Sequence, residues 1–317
     1  MSLRIKAIIA IVIAAILWSA AGTVGKILVR EAHPFVIAFY RFGLATLILL
    51  PWFLKEKKSI SSIKILLPLG IFNALNILFY YSGLALTTAN ASVIIGTSVP
   101  IITLLLSHLL IKEPINMQKI AGIFVGLLGA MLIVIFPLFE KRQTIGGSLI
   151  GNILIVGAVI SWSFYIVSSK FAGVKKTYSP LCATFVNLFT TTVASGLAAI
   201  ATHQDFLIPA LTTPYYLLTY LYSVFGITIL TFFLFGWAIR YVSASTASMK
   251  EYLQLLGGIT INIIVLHEHL TLTYFMGLQL QPPEGRVLSI ELQEHDYLII
   301  VTSPLRTTGC IACISAS

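Results

Sequence analysis

Leu109 to Leu128 reads L-L-I-K-E-P-I-N-M-Q-K-I-A-G-I-F-V-G-L-L, and Val265 to Leu280 reads V-L-H-E-H-L-T-L-T-Y-F-M-G-L-Q-L. Glu113 aligns with Glu268 and Gly122 with Gly277, both at an offset of 155 residues. The first copy runs on through apolar sequence to Pro137. The second meets Gln279, Gln281, Pro282, Pro283, Glu284 and Arg286, and its hydrophobicity collapses. A passage that occurs twice marks an internal duplication, so the reading works outward from it.

The composition says what kind of chain was duplicated. Hydrophobic residues make up 58% of 317, charged residues 10%, and the mean hydropathy is +0.97. Soluble domains carry about 25% charged residues, so this is no soluble core. Apolar stretches of about 20 residues recur, each long enough to cross ~30 Å of hydrocarbon as helix. The expected fold class is an all-α polytopic membrane protein.

Nine complete spans are expected near 5–29, 34–54, 64–86, 91–111, 117–138, 148–170, 179–201, 215–239 and 244–266. A tenth starts at Thr271 and fails near Leu280, a reach of only ~14 Å. The first apolar run lacks an A-x-A exit and continues as a full span, so no cleavable signal peptide is expected.

The net charge of +9 sits in short loops, which is orientation information and not a nucleic-acid surface. With the N-terminus inside, the inner segments hold Arg4, Lys6, Lys55, Lys57, Lys58, Lys64, Lys112, Lys119, Lys170, Lys175, Lys176 and Arg240. The outer loops before the tail hold Arg30, Lys141 and Arg142, with Lys26 near a span end. The asymmetry places the N-terminus in the cytoplasm.

The repeat extends further. Trp18 and Lys26 in span one match Trp162 and Lys170 in span six at an offset of 144, and Ala89 and Pro100 correspond to Ala244 and Leu255 at 155. Each unit holds five spans, and an odd number inverts the second unit in the bilayer. The expected layout is two inverted five-helix repeats, 1–138 and an incomplete 139–280, followed by an atypical tail, 281–317. Inverted repeats mark alternating-access carriers, with the site near the midplane between the halves.

On these residues the chain resembles the drug/metabolite transporter superfamily, specifically its EamA-like permeases. The likeness rests on Trp18 through Lys26, Arg41 with Phe42, Ala89 through Pro100, and Glu113-Pro114 with Gly122, Gly126 and Gly129. In the second unit it rests on Trp162 to Lys170, Tyr252-Leu253, and Glu268 with Gly277. It covers about residues 5–280. The family's Tyr-Leu-Glu-Pro stands here as Tyr252-Leu253-Gln254-Leu255, and the usual tenth span is not found. The resemblance implies a secondary transporter that exports small metabolites such as amino acids, in a bacterial cell (inner) membrane.

Polar side chains inside the spans fall into helical stripes. Asn73, Asn76 and Tyr80 share a face of span three; Trp162, Tyr165 and Ser169 share one in span six. Span seven offers Thr184, Asn187 and Thr191, and span nine Ser245, Ser248 and Tyr252. Thr97 takes the place of Tyr252 in the first repeat. Asn73, Asn76, Tyr80, Thr97, Trp162, Tyr165, Asn187 and Tyr252 are the expected substrate-binding set. The alternative is that such groups bridge helices.

Charges inside spans need a partner or a purpose. Lys26 and Lys170 lie near span ends, where snorkelling and gating are both open. Arg41 is seven residues past Pro34, ~10 Å deep. Lys250 and Glu251 are adjacent, hence about 100° apart on a helix, and each is expected to find a partner on another helix or to face water. Glu251 is the candidate proton carrier; a structural pair with Arg41 or Lys250 is the alternative.

Glu113 and Glu268 precede helices five and ten, where a carboxylate caps free amides. Gly122 and Gly126 allow close packing of helix five. Pro100 and Gly257-Gly258 interrupt spans four and nine at nearly equivalent places.

Other classes find little support. His267 and His269 at i, i+2 do not make a metalloprotease pair, and Cys310-x-x-Cys313 lacks a second ligand pair, so no metal and no cofactor is expected. No Walker motif occurs, and no nucleophile–base set that an enzyme would need. The expected partners are a small-molecule substrate and the bilayer, with a homodimer left open and no nucleic acid. One alternative function stays on the table: a transport-defective permease whose residues 281–317 arise from a frameshift or substitution.

Overall fold

Proline opens three of the spans. Pro34, Pro180 and Pro214 stand in the first turns of Pro34–Lys55, Pro180–Ala201 and Pro214–Val224. There the missing N–H costs nothing and the fixed φ is already helical. Side-chain caps satisfy other first-turn amides. Ser179 Oγ accepts from Cys182 N at 3.0 Å, Thr88 Oγ1 from Ala91 N at 3.1 Å, and Ser243 Oγ from Thr246 N at 3.0 Å. His33 Nδ1 accepts from Phe35 N at 3.4 Å, and burial holds this imidazole below its ordinary pKa, which keeps the nitrogen an acceptor.

The structure, a computed structural model, describes residues 2–56, 59–113, 115, 147–174, 178–208 and 212–266. Among them all regular structure is helical, and eight helices are long and apolar enough to cross a membrane. They are Leu3–Leu28, Pro34–Lys55, Ile63–Leu86, Ala89–Ile111, Leu149–Gly173, Pro180–Ala201, Pro214–Ala238 and Ala244–Leu266. These match expected spans one to four and six to nine, and the same ordinals are kept below. Span five, the partial tenth, Gly122, Gly126, Glu268 and the tail 281–317 lie outside the described residues.

Several spans are interrupted. Span one breaks at Ala20, between Leu3–Ser19 and Ala21–Leu28. Span four breaks between Ala89–Gly96 and Val99–Ile111, with Pro100 in the first turn of the second piece. Span eight widens to a π-helix over Phe225–Leu230. Span nine breaks at Met249, between Ala244–Ser248 and Lys250–Leu266. That corrects the expectation of a break at Gly257-Gly258. Those glycines are inside a continuous helix, where they let span one come close: a Cβ on Gly257 would sit 2.5 Å from Ser19 Oγ.

Packing follows the duplication. Spans three and six, two and seven, and three and seven pair extensively. Span six also packs on span four, and span one on spans eight and nine, which is the same arrangement shifted by one repeat. Spans three and six touch backbone to backbone. A Cβ on Gly83 would lie 2.9 Å from the Gly151 carbonyl oxygen, and one on Gly151 2.9 Å from the carbonyl carbon of Leu86. Every described residue belongs to one unit, Met1–Gly277, so contacts run across the repeat boundary.

Candidate functional site

The helix breaks surround a cavity of about 120 Å³. Spans one to four supply Trp18, Arg41, Asn76, Tyr80 and Ser92; spans six, eight and nine supply Trp162, Phe232, Lys250 and Glu251. Both repeats therefore build it. Trp18 and Trp162, equivalent in the repeat, meet edge to face with centroids 5.6 Å apart. Phe232 lies 5.5 Å from Trp18, and Tyr165 stacks behind Trp162 at 4.8 Å. Trp18 is pinned by its indole N–H, which donates to the Ile227 carbonyl at 3.0 Å.

The charged residues have distinct surroundings. Lys250 Nζ lies 2.6 Å from Glu251 Oε1, and the two side chains are 2% and 8% exposed. The ammonium also donates to Gln254 Oε1 at 3.2 Å and sits 4.2 Å from the Trp18 ring and 5.3 Å from Trp162. Glu251 Oε1 accepts a further bond from Trp162 Nε1 at 3.1 Å. The expectation that adjacent Lys250 and Glu251 would diverge is corrected. Both residues stand in the first turn of Lys250–Leu266 and leave it about 100° apart, but the long lysine stem bends back to bring its ammonium to the carboxylate.

Arg41, 5% exposed, has neutral acceptors only. Its Nε donates to Thr228 Oγ1 at 2.7 Å and Nη1 to Tyr81 OH at 2.6 Å, with Ile227 O at 3.5 Å from Nη2. The Phe42 ring lies 5.1 Å from the guanidinium carbon. Arg41 and Lys250 enter from opposite faces. Span two starts on the face where span one ends; span nine starts beside Ser243, in a crevice that Arg4 shares with Glu113 and Lys170.

Other expected site residues fall in three places. Asn76 and Tyr80 line the cavity, with Asn76 Nδ2 donating to Ala158 O at 2.8 Å. Asn73 turns instead to Thr191 Oγ1, 2.9 Å away, and Asn187 reaches Tyr165 OH at 3.5 Å, so these bridge helices behind the wall. Thr97 bonds the carbonyl of Ile94 in its own helix at 2.7 Å and does not line the cavity. Tyr252 is 42% exposed and also lies outside it. The Met249 break rotates Tyr252 away from the face that buries Ser245 and Ser248.

The twin lysines cap helix ends. Lys26 Nζ donates to Leu84 O at 2.8 Å and Thr87 O at 2.6 Å; Lys170 Nζ donates to Ile239 O at 3.3 Å and Arg240 O at 3.4 Å. Leu84 and Ile239 are themselves 155 apart, so one ancestral bond survives twice. A cation suits the negative end of a helix. Lys26→Met is expected to lower the melting temperature more than Lys170→Met, by about 1–2 kcal/mol of lost charge-assisted bonding against less for the longer pair. Thermal unfolding in detergent checks the order.

Glu113 is a cap as well, but for a different helix from the one expected. Its Oε1 accepts from Ala244 N at 3.0 Å and Oε2 from Ser245 Oγ at 3.4 Å, at the start of span nine. Sequence reasoning passed over Trp18 as a site residue, although its equivalence to Trp162 could have found it. It also passed over Thr228, Tyr81 and Phe232, which carry no signal beyond their type.

The chain is a helical, membrane-spanning protein whose cavity draws on both halves of its sequence. The chain belongs to the EamA-like transporter family, whose profile matches residues 5–135 and again 149–280. The second match stops where the hydrophobicity of the repeated passage collapses. An uncharacterized transporter from Archaeoglobus fulgidus is 30% identical over 158 residues, 48% of this chain and 53% of that one, so the chain spans about half of that relative. The uncharacterized transporter YetK of Bacillus subtilis is 25% identical over 264 residues, covering 80% and 78%. A solved crystal structure shares the fold at a TM-score of 0.59 and 16% identity, over 85% of this chain and 91% of its own.

Proposed function

We propose that this transporter is a secondary carrier that exports small amphipathic metabolites, the class to which amino acids belong, by alternating access about the cavity. The observation that carries the reading is the cavity's construction from both repeats, with Trp18 and Trp162 in contact in its wall. Rocking one repeat against the other would expose such a site to each face in turn. Lys26 and Lys170, bonded near opposite faces, are the candidate latches that release in that motion.

Glu251 is the candidate coupling group. Protonation would dissolve its ion pair with Lys250 and weaken the bond it accepts from Trp162, linking proton binding to the shape of the cavity. The loop charges support a cytoplasmic N-terminus in a bacterial cell (inner) membrane.

The test is efflux from proteoliposomes preloaded with labelled amino acids and organic acids. At least one solute should leave faster than from protein-free vesicles. Trp162→Ala should slow it about tenfold, equivalent to an aromatic contact of about 1.4 kcal/mol. Efflux indifferent to both Trp162→Ala and Trp18→Ala would sink the cavity as the transport site.

A further inference from the structure

The cavity has a charge imbalance that its own residues do not correct. It holds Arg41, Lys250 and Glu251, so with all three ionised its formal charge is +1. Lys250 and Glu251 cancel each other at 2.6 Å, the one ion pair among the described residues. Lys250 is further occupied by Gln254 and the two tryptophan rings. Arg41 has no carboxylate partner among the described residues, and a guanidinium does not shed its proton. Thr228, Tyr81 and Ile227 hold it in place through single bonds, which leaves N–H donors on both Nη nitrogens without an acceptor.

A buried, rigid fork of donors with one unbalanced positive charge is matched by a carboxylate, which takes two parallel N–H bonds. A dianion would overshoot the charge. A zwitterion would leave the cavity at +1, and an ammonium placed on Glu251 would lie close to the Lys250 ammonium that already pairs with that carboxylate at 2.6 Å. The rest of the wall, with Trp18, Tyr80, Trp162 and Phe232, suits an apolar or aromatic body.

We propose that the cavity selects small organic monocarboxylates of net charge −1, the carboxylate on Arg41 and the apolar body against Trp18 and Trp162. The proposal rests on the reading of this cavity as the transport site and narrows the metabolite class given there to its monoanionic members, setting zwitterionic amino acids aside.

Three probes share one aryl-propyl frame: 3-phenylpropionate, phenylalanine and 3-phenylpropylamine, with net charges of −1, 0 and +1. Binding is read by tryptophan fluorescence of the purified chain, and uptake by counterflow in proteoliposomes. We expect 3-phenylpropionate to bind at least about tenfold more tightly than either of the others. Arg41→Gln should erase that preference, and Arg41→Lys should keep part of it. Melting curves of both variants separate lost binding from lost folding.

Equal or tighter binding of phenylalanine or the amine, or binding of none of the three, overturns the proposal. If phenylalanine is preferred and Trp162→Ala still weakens it, the cavity stands as the site and only its charge selectivity is wrong. If probes bind but no variant of Arg41 or Trp162 changes their affinity, the site reading itself has failed.

Discussion

Glu251→Gln is expected to destabilise the folded chain by about 3–5 kcal/mol and to abolish any proton dependence of transport. The large cost comes from what remains. Lys250 is nearly inaccessible, and without Glu251 its ammonium keeps only Gln254 and the tryptophan faces. An uncompensated charge inside a span costs roughly 3 kcal/mol on insertion scales alone. Replacing both members, as in Lys250→Met with Glu251→Leu, removes the charge and its partner together. That double variant should melt within about 1 kcal/mol of the parent, since exchanging a buried pair for apolar groups is often neutral. Transport should be lost in both variants, so stability and function come apart in the double. Melting in detergent, with transport at two external pH values, reads both effects. An unchanged melt for Glu251→Gln would mean that the pair does not hold the site together, and unchanged pH dependence would remove Glu251 as the coupling group.

The second large effect is expected where spans three and six cross. Gly151→Leu places its first side-chain carbon 2.9 Å from the carbonyl carbon of Leu86, against backbone that has no rotamer with which to yield. Overpacking costs about 1–3 kcal/mol where side chains can adjust, and backbone contacts belong at or above the top of that range. Gly151→Ala should already lower the melting temperature, and Gly151→Leu should prevent accumulation of folded protein. By contrast, Gly96→Ala adds a carbon to open space and should change little. Equal yields of monodisperse protein from Gly151→Leu and the parent would contradict the close crossing.

Much of the fold was legible because membrane helices must be long and apolar, and that constraint is written residue by residue. Cavity residues were legible where a polar or charged group inside a span marked them. Trp162, Asn76 and Tyr80 lay on polar stripes, and Arg41 was too deep for easy escape to water. Tyr252 and Thr97 fall outside the cavity for a physical reason: the stripe argument assumes an unbroken helix, and both positions lie beside breaks. The pairing of Lys250 with Glu251 stood only as an alternative, because the helical angle between adjacent residues does not measure how far a lysine stem can bend back. Glu113 was recognised as a cap, but the helix it caps is brought to it by tertiary packing, which local sequence does not encode. Gln254, noted at first as a departure from the family's pattern, accepts a bond from Lys250 in the cavity wall.

The unbalanced guanidinium of Arg41 has an electrical consequence. A carrier that travels loaded with a monoanion crosses as a neutral body, and the empty carrier returns with one positive charge. In a cell whose interior is negative, that inward return runs down the field. Each elementary charge carried through the full potential gains about 2.3 kcal/mol per 100 mV. Such a cycle would be driven outward by the resting voltage even without a solute gradient, and it would slow as the membrane depolarises.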